Sequence, residues 1–152
     1  MDDVKVRMMQ LAIKGYYCSQ ILILLGLEAR GKNNPELVRA MHGLAGGCDE
    51  GSCTCGSLTG GCCLIALFCG KGSDSEQHNR QYHHMIQELV QWFWNTYGFK
   101  YGGIDCIAIR EGEGPETIRQ RCWQIMENVY FKAMAILAAN GIVINYKDCY
   151  AG

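Results

Sequence analysis

Residues 46–63 read Gly46-Gly47-Cys48-Asp49-Glu50-Gly51-Ser52-Cys53-Thr54-Cys55-Gly56-Ser57-Leu58-Thr59-Gly60-Gly61-Cys62-Cys63. Five of the chain's 10 cysteines fall in this stretch, among six glycines. A packed core gains little from so much glycine, because glycine loses more backbone entropy on folding than any other residue. At this density it lets backbone pass close to another group, or frees amide N–H groups to point at one. Thiolates beside freed amides suit a metal or a metal–sulfur cluster. The stretch therefore reads as a loop forming half of a site, with the other half supplied by cysteines elsewhere in the chain.

The remainder of the sequence fits one domain over residues 1–152, large enough to bury a core without staples. The net charge is −1 and the basic residues are scattered. That pattern argues against a nucleic-acid partner and against an anionic membrane surface. The opening Met1-Asp2-Asp3-Val4-Lys5 lacks a basic region followed by an apolar one, so no signal peptide is expected and a cytoplasmic location is. In that compartment, a cysteine-rich chain points to metal binding or redox chemistry rather than disulfide staples. The apolar run at 62–69 is far shorter than the roughly 20 residues of a membrane span.

Working outward, the apolar periodicity predicts an all-α bundle of about five to six helices, two of them long. Val4, Met8, Leu11 and Ala12 mark a helix over residues 3–14, broken at Gly15. A second runs over 17–25 with Gly26 as its stop and Cys18 in its first turn. Asn34-Pro35-Glu36 is a strong helix start, with Asn as N-cap and Pro at N1, for a helix to about residue 44. Thr54 or Ser57 is expected to cap the next helix, which runs to Phe68. Ser73-Asp74-Ser75-Glu76 resembles a capping box, opening a long helix to about residue 97 with Gly98 beyond it. Residues 99–113 read as irregular, and Gly114-Pro115-Glu116 opens a last long helix to about Asn140. The tail over 142–152 reads as a short strand or an extended arm, with Cys149 near its end.

Cys48, Cys53 and Cys55 form the strongest local signal, since three thiols within eight residues of loop can face one centre. Neither C-x2-C, usual in zinc knuckles and thioredoxin-type motifs, nor C-x-x-C-H of covalent haem occurs. Cys55, Cys62 and Cys69 recur at seven and would share a helical face, but each step rises about 10 Å, too far for one small cluster. Cys63 and Cys69 therefore read as core, while Cys62, nearer the loop, reads either way. Cys18, Cys106 and Cys122 stand alone in sequence and reach the loop only if the bundle is compact. His42 is the histidine nearest the loop, and His83 and His84 point to different sides of a helix. Trp92, Phe93 and Trp94 are consecutive, so part of that apolar surface is expected to face outward as a homodimer or partner surface.

These isolated cysteines carry a resemblance. Gly15-Tyr16-Tyr17-Cys18-Ser19-Gln20, the glycine loop from Gly46 to Cys55-Gly56-Ser57-Leu58-Thr59-Gly60, and the single Cys106 and Cys122 together resemble the redox-active C_GCAxxG_C_C family. That family is found mostly in anaerobes and includes a domain of the split-Soret cytochromes, which carry an iron–sulfur centre. The resemblance covers about residues 5–138. It implies four redox or ligand cysteines: Cys18, Cys55, Cys106 and Cys122. Thr54 stands where the family's name puts glycine. Cys48, Cys53, Cys62, Cys63, Cys69 and Cys149 are extras.

The sequence reading is thus a small iron–sulfur redox or electron-transfer protein, a carrier or redox subunit rather than a stand-alone enzyme, acting with a redox partner protein. Cys18, Cys55, Cys106 and Cys122 form the core ligand set, with Cys48 and Cys53 completing or extending it. A 4Fe–4S or larger cluster is favoured over 2Fe–2S. The amides of Gly46, Gly47 and Gly56 are expected to hydrogen-bond cluster sulfurs and tune the potential. The alternatives are a metal-free thiol–disulfide oxidoreductase or redox sensor, and a zinc or copper(I) binding protein using the same thiolates.

Overall fold

The computed structural model describes residues 3–142 and 144; Cys149 and nearly all of the tail expected as a strand or arm lie outside them. Among the described residues the chain is all-helical, its one β-type contact an isolated bridge between Thr54 and Asp105. Seven α-helices of five residues or more form the frame: α1 (Asp3–Ile13), α2 (Cys18–Ala29), α3 (Pro35–Met41), α4 (Gly56–Cys69), α5 (Tyr82–Phe93), α6 (Cys106–Arg110) and α7 (Pro115–Ala139).

Local signals place several of these starts. Asn34 caps α3 by accepting a hydrogen bond from the Leu37 amide, with Pro35 at N1. Gly15 turns the chain at a φ of +92° between α1 and α2. Four other local readings give way to packing. Gly26 does not stop α2; a Cβ there would lie 2.6 Å from Leu64 Cδ1, so its bare backbone lets α4 close against α2. Ser73-Asp74-Ser75-Glu76 opens no helix. Glu76 instead turns its carboxylate back to the Gly72 amide, Asn79 donates to the Cys69 carbonyl, and α5 begins only at Tyr82. Gly98 lies within a π-helical turn, Trp94–Gly98, that extends α5 under the Trp94 ring; the left-handed stop is Gly102, at φ +78°. Neither Thr54 nor Ser57 caps α4, whose N-cap position is Cys55.

Helix α4 is the hub, packing on α2, α5 and α7. Its Gly60 and Gly61 sit where side chains would collide with Ser19 and Leu22 of α2 on one side and Val129 of α7 on the other. Leu22, Leu64, Ile65, Met85, Leu89, Phe93, Val129 and Leu137 are fully buried around it. Each contributes about 1.5–3 kcal/mol of burial free energy. A smaller apolar cluster of Ile23, Leu27, Val38 and Met41 fixes α3 on α2. There the buried Ser19 hydroxyl donates to the Met41 carbonyl, and the Gln20 side chain donates to that of Val38. These bonds lock the first turn of α2, which carries Cys18. Of the consecutive aromatics, Phe93 is buried and Trp92 and Trp94 are half-buried.

Candidate metal–sulfur centre

Three of the isolated cysteines stand at helix starts. Cys18 is the first residue of α2, Cys55 is the N-cap of α4, and Cys106 is the first residue of α6 behind the capping side chain of Asp105. Cys122 lies two turns into α7. A helix start offers amides without intrahelical partners and the positive end of the peptide dipole, both favourable to a sulfur anion. These starts converge in space: those of α2 and α4 lie where the sequence led one to expect them, whereas α6 forms within residues 99–113, which were expected to be irregular.

The glycine loop makes that convergence close. Gly46 and Gly47 take left-handed φ values of +67° and +63°, turning the chain sharply after α3. The returning strand of loop is sewn to the segment before α6. Cys55 N–H donates to the Ile104 carbonyl at 2.8 Å, Cys106 N–H to that of Cys53 at 3.1 Å, and Ile107 N–H to that of Gly51 at 2.9 Å. Gly47 lies directly beneath this seam; a Cβ there would stand 2.6 Å from Cys106 Cβ and 2.7 Å from the Cys53 carbonyl oxygen. Gly56 performs the same service for Cys18, whose sulfur sits 3.0 Å from where a Cβ would be.

Cys18, Cys55, Cys106 and Cys122 all line one cavity of about 610 Å³, together with Gly46 and Gly56. Ile21, Ile125 and Met126 supply apolar wall; Tyr16, Tyr17, Arg110, Arg119 and Trp123 also border it. Of this lining, Tyr16 and Tyr17 lie in the stretch quoted around Cys18, whereas Arg110, Arg119 and Trp123 were not singled out in the sequence. The signal for the last two is a helical face: Arg119, Cys122, Trp123 and Met126 follow the three-and-four spacing on α7. Arg121 braces that helix from the other side, donating to the Ile109 carbonyl and lying 4.6 Å over the Tyr101 ring.

Burial dominates the electrostatics. It pushes the Cys55 thiol up to about 12, even though the amides of Ser57 and Leu58 in the first turn of α4 work against it. Burial also raises Cys18, opposed by the Ser57 side chain and by the amides of Ser19 and Gly46. Cys122 is raised in the same way, partly offset by Arg110 and Arg121. Left to themselves, these thiols hold their protons at neutral pH.

The other expected site residues lie elsewhere. Cys48 and Cys53 are exposed and do not line the cavity, and the Cys53 amide donates to the carbonyl of Gly47, the residue before Cys48. Gly47 supports Cys106 without lining the cavity. On α4, Cys69 is buried and donates its S–H to the Ile65 carbonyl, and Cys62 and Cys63 are half-buried in apolar surroundings. His42 stacks at 5.0 Å on the outer side of Tyr17 and borders a separate groove. The nine described cysteines are free thiols. Among the described residues, no three Cys, His, Asp or Glu side chains close on a point that could hold a single ion.

A family model described as "Putative redox-active protein (C_GCAxxG_C_C)" matches residues 16–136. The chain belongs to the C_GCAxxG_C_C family. The matched span contains all four cavity cysteines of this C_GCAxxG_C_C protein, and also the exposed pair Cys48 and Cys53. Comparison with curated proteins and with solved structures found no match.

Proposed function

We propose that this redox-active protein carries an iron–sulfur cluster in the four-cysteine cavity and serves as an electron carrier or redox subunit. The observation that carries the reading is the arrival of four sequence-isolated cysteines, from α2, the start of α4, α6 and α7, on one cavity. A single zinc or copper ion bound at about 2.3 Å would need its sulfurs within roughly 4 Å of one another. The four thiols line one cavity large enough for a polynuclear centre held between them. When bound, such a cluster supplies one-electron transfer. Cys18, Cys55, Cys106 and Cys122 hold it, while Gly46 and Ser57 place polar groups beside the sulfur of Cys18. Ile21, Ile125 and Met126 keep the site apolar, and Arg110 and Arg119 place positive charge against its net negative charge.

The burial of Cys55 speaks against the metal-free alternative at that residue, because thiol exchange requires a thiolate that an incoming disulfide can reach. Metal binding itself displaces the proton. The same reading includes a redox partner protein and a cytoplasmic location; among the described residues no helix is long and apolar enough to cross a membrane. Protein purified without oxygen should be brown, with iron and acid-labile sulfide in matched amounts. Protein that stays colourless and iron-free after reconstitution with iron and sulfide overturns the proposal.

A further inference from the structure

Cys48 and Cys53 stand apart from the four-cysteine cavity. Both are exposed, and neither lines it. The loop between them is tightly closed, with the Gly51 and Cys53 amides both donating to the Gly47 carbonyl at 3.1 and 3.2 Å. That closure sets Cys53 beside the peptide that joins Gly47 to Cys48. Cys48 at φ +58° and Asp49 at φ +69° are the non-glycine residues that the described backbone holds in the left-handed region. A side chain is seldom placed there unless the surrounding structure fixes it, and such placements cluster at functional sites. The arrangement is a pair of exposed cysteines held side by side by the loop backbone, flanked by the exposed carboxylates of Asp49 and Glu50.

We infer that Cys48 and Cys53 form a second redox site, a dithiol that exchanges with small disulfides carrying cationic ends. In the exchange, the thiolate of one cysteine attacks a sulfur of the disulfide RS–SR. A protein–S–S–R bond forms, the RS–SR bond breaks, and one thiol RSH leaves. The second cysteine then attacks the protein sulfur of that mixed disulfide, closing the Cys48 to Cys53 bond and releasing the second RSH. The protein gives up two electrons and two protons, and the small disulfide gains both. The site is joined to the cavity by backbone: the Cys53 carbonyl holds the Cys106 amide and the Gly51 carbonyl holds that of Ile107. The inference does not depend on a cluster occupying the cavity.

The probe is cystamine, a disulfide with two ammonium ends, added without oxygen to the full-length protein. Cleavage after glutamate at Glu36, Glu50 and Glu76 puts Cys48 alone in the fragment 37–50, separate from Cys53 in 51–76. Cystamine should join these two fragments by a bond that dithiothreitol reverses. Cys53→Ser should abolish the link and leave cysteamine on Cys48. The native protein should lose two alkylatable thiols, with its iron content and absorption unchanged. Three results would overturn the inference: Cys48 still free to alkylate after cystamine, a fragment link that survives Cys53→Ser but vanishes in Cys55→Ser, or loss of bound iron in both Cys48→Ser and Cys53→Ser. The last would make the pair cluster ligands. The fragment readout decides the matter even if the protein binds no iron.

Discussion

Gly47→Ala tests how tightly the loop is fitted under the site. At φ +63° an alanine costs about 1–2 kcal/mol in backbone strain. Its methyl would also stand 2.6 Å from Cys106 Cβ and 2.7 Å from the Cys53 carbonyl oxygen. Both are close to rigid backbone in a hydrogen-bonded seam, so overpacking adds about 1–3 kcal/mol. The reduced freedom of the unfolded chain returns about 0.4–1 kcal/mol. The net loss is about 1–5 kcal/mol, a fall in Tm of roughly 2–18 °C for a domain of this size. Gly46→Ala is the matched control. Its φ is +67°, yet nothing lies within 4 Å of the new methyl, so it should carry the backbone cost alone. Thermal unfolding of both variants by circular dichroism separates the two contributions. Gly47→Ala should also bind less iron, because Cys106 must shift. Equal melting temperatures for the two variants would refute the close fit between loop and α6.

Other consequences follow from the same geometry. In metal-free protein the Cys55 thiol rises from its ordinary 9.0 to about 12 on folding. The folded state therefore keeps a proton that the unfolded chain sheds, so stability is intact below pH 9 and falls between pH 9 and 12. At about 1.4 kcal/mol per pH unit the loss is on the order of 4 kcal/mol. A Cys55→Ser variant should show a visibly flatter profile of Tm against pH; an equally steep one would mean that Cys55 is not the titrating group. Removing the α6 cap with Asp105→Ala, which breaks its 3.0 Å bond from the Ala108 amide, should cost about 0.5–2 kcal/mol in urea unfolding. An unchanged midpoint would show that α6 is held by the loop seam alone.

What could be read beforehand follows from how local each signal is. Asn34 and Pro35, or Gly114 and Pro115, announce helix starts through their own backbone chemistry, and the structure uses them so. Gly26 and Gly98 carry the same apparent stop signal, but their missing side chains serve Leu64 and the Trp94 ring. Only the packing of α4 on α2 and the π turn after α5 reveal that. Glu76 has a capping-box spacing, yet its carboxylate finds the Gly72 amide instead. The short α6 was hidden because five residues carry no periodicity. The site was half legible: the glycine loop marks itself by composition, and the solitary cysteines by family resemblance. That three of them stand at helix starts facing one cavity depends on the seam between residues 51–55 and 104–107, a tertiary contact that no spacing encodes. The separation of Cys48 and Cys53 from Cys55 was equally hidden, since it hangs on left-handed turns at Gly46, Gly47 and Cys48.

The most direct test of the central claim is the anaerobic absorption spectrum of Cys122→Ser beside that of the wild-type protein, with iron and sulfide measured in each. Cys122 lies far along the chain from the glycine loop and meets it only across the cavity. The assembled centre predicts a brown wild-type protein and a variant with an altered charge-transfer spectrum and reduced iron, its helical content retained. A variant whose spectrum and iron match the wild type would contradict a centre built from all four cysteines.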